Sequence, residues 1–175
     1  MSTLIRMVYI STTTHPVSDS VGGVQKDVGR ILMQARRNNP ADKVGGVLYF
    51  SNNYFFQCLE GEQQEVNNLY KKILHDPRHN NVQTVLVKRI DRRQFSNWSM
   101  KYVASRDKVN QLLLQHGLRE FNPYEFDEAM IEKMLALFTS LEDSTGNADQ
   151  DYDRHEPVSK HIGLWSRLFN RSKAA

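Results

Sequence analysis

Residues Leu4 to Ser11 are apolar and partly β-branched, and period-two alternation sets Ile5, Met7 and Tyr9 on one face against Leu4, Val8 and Ile10 on the other. This predicts a first strand. Residues 12–20 carry Thr, Ser and Pro16 and read as a loop, with Ser18, Asp19 and Ser20 as candidate helix caps. The period then changes: Val24, Val28, Ile31, Leu32 and Ala35 recur at helical spacing, up to Asn38-Asn39-Pro40, where the proline ends the helix. Val44 to Ser51 predicts a second strand. Ser51-Asn52-Asn53 makes a tight turn that pairs it with Tyr54–Leu59 as a hairpin. Gly61 reads as a turn, after which Val66, Leu69, Tyr70, Ile73 and Leu74 mark a second amphipathic helix that stops at Asp76-Pro77. Val82–Ile90 predicts a fourth strand. A charged turn, Asp91-Arg92-Arg93, leads to a fifth over Trp98–Ala104.

This order is α+β: a ferredoxin-like βαββαββ sheet with two helices on one face. Apolar residues on the other face need a cover. Two further amphipathic stretches supply it. One carries Val109, Leu112 and Leu113, with Ser105 as a cap and His116-Gly117 as its end; the other carries Met130, Met134, Leu137, Phe138 and Leu141. Residues 142–156 are polar and acidic and read as a linker. Beyond it the charged residues 160, 167, 171 and 173 are all basic, and Ile162, Trp165 and Phe169 could line one face of a short helix. The expected division is 1–104, 105–141 and 142–175. The last stretch is too short and too polar for a catalytic domain.

Composition narrows the classes without choosing one. The chain has 175 residues, 39% hydrophobic and 25% charged, which is ordinary for a globular protein. A net charge of +3 permits an acidic partner without arguing for one. Cys58 is the single cysteine, so neither an intrachain disulfide nor a cysteine metal cluster is expected. No signal peptide or membrane-spanning run is evident, and a cytoplasmic protein is expected.

The residue that breaks the pattern is Gln57, a neutral amide inside the apolar run Tyr54-Phe55-Phe56-Gln57-Cys58-Leu59. A buried amide left unpaired costs roughly 1–3 kcal/mol, so a polar partner should face it. Tyr9 lies mid-strand and can reach Gln57 if the two strands are neighbours. The pair is either a self-satisfied core contact or one half of a ligand site. Cys58 points the other way and reads as an inert buried thiol. Pro77 separates His75 from His79, which argues against a shared metal. Asn38 and Asn39 suit a helix end. Lys71, Lys72, Arg78 and His79 either complement a helix dipole or form an anion site. Phosphate-loop, dinucleotide, nucleophile-elbow and zinc-protease motifs are absent, and no enzyme is expected.

Six segments together resemble the BLUF family of blue-light sensors. They are Tyr9 in the first strand, Arg36-Arg37-Asn38-Asn39-Pro40-Ala41, Gly45-Gly46-Val47-Leu48, Phe56-Gln57-Cys58-Leu59-Glu60-Gly61, His75-Asp76-Pro77-Arg78-His79 and Phe95-Ser96-Asn97-Trp98-Ser99-Met100. The loop at 12–23 departs from the family by its length. The resemblance implies a non-covalently bound flavin, FAD or FMN, between the two helices, with Ile31 and Ile73 against its ring faces. It implies that Asn39, assisted by Asn38, bonds the polar edge of the flavin. Gln57 would bond flavin N5 or O4 and the Tyr9 hydroxyl, and Lys72 with Arg78 would meet a phosphate. Light would then rotate or tautomerise Gln57 after electron and proton transfer from Tyr9. Trp98 and Met100, on one strand face by parity, would relay the change. A short sensor of this kind implies an unidentified downstream protein, such as a transcriptional or signalling regulator, and a homo-oligomer, with no direct nucleic-acid contact. The alternatives are a ferredoxin-like RNA-binding module, which lacks the basic, glycine and aromatic signature of such sheets, and a small hydrolase, which lacks a nucleophile with a base.

Overall fold

A computed structural model describes residues 3–15, 26–97 and 99–141. The chain divides into two compact units, Met1–Thr145 and Gly146–Ala175, and every described residue belongs to the first. The candidate caps at 18–20, Val24, Trp98, the acidic linker and the basic tail with Ile162, Trp165 and Phe169 lie outside the described residues.

The elements are β1 (Leu4–Thr13), α1 (Lys26–Asn38), β2 (Gly45–Ser51), β3 (Tyr54–Glu62), α2 (Gln63–Leu74), β4 (His79–Arg89), β5 (Lys101–Val103), α3 (Arg106–Gln115) and α4 (Glu128–Ser140), with a 3-10 turn at Pro123–Glu125. The sheet order is β4-β1-β3-β2-β5. Neighbours are antiparallel except β2 and β5, which run parallel. The α+β ferredoxin-like reading is therefore correct, and β1 and β3 are central strands. At the β2–β3 hairpin Asn52 and Asn53 take φ of 50° and 66°, the left-handed pair that a two-residue turn needs and asparagine tolerates. Gly46 has a different reason: a Cβ there would lie 2.1 Å from the Cys58 carbonyl oxygen.

The alternation read from β1 holds, and it divides the interior in two. Ile5, Met7 and Tyr9 join Val28, Ile31, Leu32, Leu48, Phe55, Leu59, Val66 and Met100 under α1 and α2. Val8 and Ile10 join Tyr49, Phe56, Phe95 and the residues of α3 and α4, including Val109, Leu113, Met134 and Phe138. The outer face is thus covered by the segments after residue 105.

Three local expectations are corrected. Gly61 is no turn: it pairs with Ile5, and the β1–β3 ladder continues to Leu4 opposite Glu62, so the strand hands over directly to α2. The fifth strand is only Lys101–Val103, paired with Val47–Tyr49 of β2; Met100 precedes it in a loop, so the strand parity expected of Trp98 and Met100 does not apply. Ser105 stands before α3 but its hydroxyl makes no capping bond. Asp127 does cap α4, accepting from Met130 N at 2.7 Å.

Candidate functional site

Register makes the central contact. Tyr9 and Gln57 are direct Cα partners across β1 and β3, so their side chains leave the same face of the sheet. Both are buried, at 0% and 3% exposure. The Tyr9 hydroxyl donates to Gln57 Oε1. Gln57 Nε2 donates to Met100 Sδ at 3.6 Å. A thioether is a weak acceptor, so this amide has a firm partner on one side and a soft one on the other. Burial raises the Tyr9 phenol well above its ordinary pKa, with Asp76 and Tyr70 adding to the shift and Arg78 opposing it. Tyr9 is therefore a neutral proton carrier near pH 7.

The C-terminal end of α1 reaches the same spot. Asn39 is 1% exposed and its Nδ2 donates to Ser99 O at 2.8 Å, while Arg36 Nε donates to Met100 O at 3.1 Å. The Asn39 backbone is fixed by Ala35 O at 2.8 Å and by accepting from Val44 N at 3.0 Å. Thus Asn39 and Gln57, from different elements, converge on the Ser99–Met100 segment. Asn38 is exposed, and its carbonyl accepts from Ala41 N at 3.2 Å. Ile31 and Ile73 belong to the apolar cluster around Tyr9, with Ile31 buried and Ile73 half-buried. Arg36 and Ser99 were not read as site residues, though both lie within the quoted segments.

The basic cluster is less uniform than the sequence reading supposes. Lys72 is exposed on α2. The Arg78 guanidinium is engaged by Asp76, with Nε at 2.9 and 3.1 Å from its two oxygens, and by Gln34 Oε1 at 2.7 Å. Burial raises the Asp76 pKa, but the Arg78 hydrogen bonds outweigh it and hold the carboxyl below its usual range. His79 adds no positive charge near neutrality. Burial lowers it to about 4, against the opposing pull of Asp76. Its Nδ1 lies 2.8 Å from Ser11 Oγ, and its ring meets Phe55 at 4.6 Å and the Tyr9 ring at 6.2 Å between centroids. Among the described residues no cluster of His, Cys, Asp and Glu could hold a metal ion.

The buried Tyr9–Gln57 pair on the inner face of the sheet is a site for hydrogen-bonding chemistry, and similarity identifies the family. The sequence model of the BLUF family, described as sensors of blue-light using FAD, matches residues 4–101. The chain belongs to the BLUF family. It is 37% identical over 142 residues to photoactivated adenylate cyclase subunit beta of Euglena longa, covering 81% of this chain and 14% of that protein. It is 29% identical over 124 residues to the blue light- and temperature-regulated antirepressor BluF of Escherichia coli (strain K12), covering 69% of this chain and 30% of that protein. The chain therefore spans less than a third of either relative. Among solved structures, the ground state of BlsA superposes with a TM-score of 0.72 at 33% identity, covering 81% of this chain and 91% of that one. None of these similarities supports the RNA-binding reading.

The family binds a flavin non-covalently, and the residues present fit one. The planar ring system of a flavin needs an apolar bed, and Ile31, Leu32, Phe55 and Ile73 share one apolar cluster on this face that would suit it. Its pyrimidine edge alternates acceptors with a donor. Uncharged carboxamides answer both, and Gln57 and Asn39 are the buried pair available.

Proposed function

We propose that this chain senses blue light through the Tyr9–Gln57–Met100 contact and passes the signal to another protein. The observation that carries this reading is that the Gln57 amide has Tyr9 OH on its oxygen and Met100 Sδ on its nitrogen, so that turning the amide exchanges both bonds at once. When bound, the flavin absorbs blue light and in its excited state accepts an electron. Tyr9 is the donor, and its phenolic proton leaves along the bond it already makes to Gln57 Oε1. When electron and proton return to Tyr9, Gln57 is left rotated or as the tautomer. Where the amide has rotated, its nitrogen no longer faces Met100, and the Ser99–Met100 segment loses one of its holds.

Ile31 and Ile73 pack against the ring faces, and Asn39, with Asn38, serves the polar edge. Lys72 and Arg78 attend the phosphate of FAD or FMN, with Arg78 sharing its charge with Asp76. Trp98 acts with Met100 in the relay. Residues 1–104 hold the flavin, 105–141 form the output surface, and 142–175 contribute to partner contact. The partner is a transcriptional or signalling regulator, a reading supported by a relative named as an antirepressor. The chain works as a cytoplasmic homo-oligomer, without catalysis of its own and without direct nucleic-acid contact. No helix among the described residues is long and apolar enough to cross a membrane.

The test is the visible spectrum of the purified protein in darkness and after blue light. A flavin band that shifts to the red and recovers in darkness is expected. A protein that takes up no flavin on reconstitution would reduce Tyr9–Gln57 to core packing.

A further inference from the structure

A second polar cluster lies on the opposite face of β3 and has no part in the contacts above. Glu60 is wholly buried. One oxygen accepts from Arg6 Nε at 2.7 Å and lies 2.6 Å from Arg6 Nη2; the other accepts from Gln94 N at 2.7 Å and Phe95 N at 2.9 Å. Arg6 is 4% exposed and also donates to Gln94 Oε1 at 2.6 Å. Its Nη1 lies 3.9 Å from Glu132 Oε2 on α4.

This cluster is poorly explained as a stabilising ion pair. Two buried charges are costly to desolvate, and an apolar pair of similar volume often serves stability as well or better. What an apolar pair cannot do is accept two consecutive backbone N–H groups from a loop. Those groups sit six and five residues before Met100. The connection from β4 to β5 is thus held at two points by one strand: midway, at Gln94–Phe95, by Glu60 from the outer face, and at its end, Met100, by Gln57 from the inner face. Asn39 and Arg36 hold only the Ser99–Met100 end.

We infer that Glu60 is a positioning residue for the light response: it anchors Gln94 and Phe95 so that Met100 meets the Gln57 amide in darkness, and through Arg6 it ties that anchor to α4. This rests on the light-sensing reading only for its consequence; the anchoring stands apart from it.

Two variants test the anchor. Glu60→Gln keeps the shape but puts an amide nitrogen against a donor. Arg6→Met with Glu60→Leu removes both charges and both acceptors while keeping the volume apolar. Amide hydrogen exchange in darkness, on flavin-free and flavin-loaded protein, is read at Gln94, Phe95, Ser99 and Met100 against the β1–β3 ladder. In both variants exchange at 94–95 should rise by about tenfold or more, as expected when a charge-assisted bond is lost. It should rise at 99–100 as well, with the ladder unchanged. On loaded protein the dark recovery should change by at least about threefold while the light-induced shift remains, since one net hydrogen bond moves an equilibrium by about that factor. Cys58→Ala, a buried outer-face change that touches no loop amide, should alter neither readout. Exchange at 94–100 unchanged in the double variant would overturn the anchor. Faster exchange with unaltered recovery would overturn its part in the light response. A wild-type protein that binds flavin without a light-induced shift would overturn the sensing reading and leave the exchange result to judge the anchor alone.

Discussion

The two faces of the sheet are built on different terms. The outer face is closed by α3 and α4 with large interlocked rings: Tyr49 stacks on Phe138 at 5.4 Å between centroids, and Phe56 and Phe121 meet this pair edge-on. Its buried charges among the described residues are engaged: Arg6 and Glu60 with each other and with Gln94 and Phe95, and Lys101 Nζ with Phe138 O at 2.7 Å. The inner face, under α1 and α2, places neutral polar groups among apolar ones: Tyr9, Gln57 and Asn39. Strand β3 serves both, with Phe55, Gln57 and Leu59 inward and Phe56, Cys58 and Glu60 outward. A charged cluster fixes one arrangement, because either partner alone would be costly. A neutral amide beside a phenol can present either its oxygen or its nitrogen to it. On the proposed reading, the face that switches is the one that carries amides, while the other carries rings and engaged buried charges.

The largest test of this contrast is on the inner face. Gln57→Leu should keep flavin but lose the light-induced shift entirely in a dark-minus-light spectrum; a normal shift would remove Gln57 from the mechanism. Tyr9→Phe deletes one oxygen and should likewise abolish the normal photocycle while flavin still binds. An unchanged cycle would mean that another donor suffices. Both should retain the cooperative denaturant transition, since they leave the outer core whole.

The outer face should respond the opposite way. Phe138→Ala empties a ring site that is 0% exposed and should cost about 3–5 kcal/mol in urea unfolding. Where the variant remains folded, its flavin band and its shift should match the wild type. A stability loss under 1 kcal/mol, or a lost shift at full stability, would show that the two faces are not divided as described.

Much of this was legible in the sequence, because period-two alternation states the face of every strand residue. Ile5, Met7 and Tyr9 were separable from Val8 and Ile10 before any contact was known, and Gln57 stood out as polar in an apolar run. The turn expected at Gly61 is absent, because a glycine alone does not say whether a ladder bond extends the strand past it. The fifth strand is shorter than its apolar run suggests, because its length is set by pairing with β2, which is distant in sequence. The Asn39–Ser99 and Glu60–Gln94 contacts join residues 60 and 34 positions apart, and local patterns carry no record of such pairings. His79 was read as part of a positive patch because residue type was visible and burial was not.

His79 gives the smallest of these effects and tests that correction. The folded protein holds it neutral down to about pH 4, because burial opposes the charge; Arg78 also opposes it, while nearby Asp76 favours it. In the unfolded chain histidine titrates near 6.5. The folded pKa is depressed, so the unfolded state takes up the proton first as pH falls. The contribution of His79 to stability is complete above about 6.5, declines between 6.5 and 4, and is flat below. His79→Gln removes the titration and keeps a group able to bond Ser11. Wild type should therefore lose roughly 2–3 kcal/mol more than the variant between pH 7 and 4 in urea titrations. Over pH 6–8, where His79 is uncharged beside Tyr9, its titration should leave the light-induced shift constant. Parallel stability curves for the two proteins would mean that His79 titrates in the fold as it does in the unfolded chain, so that below about pH 6.5 it would join the positive patch and place a cation beside the ring of Tyr9.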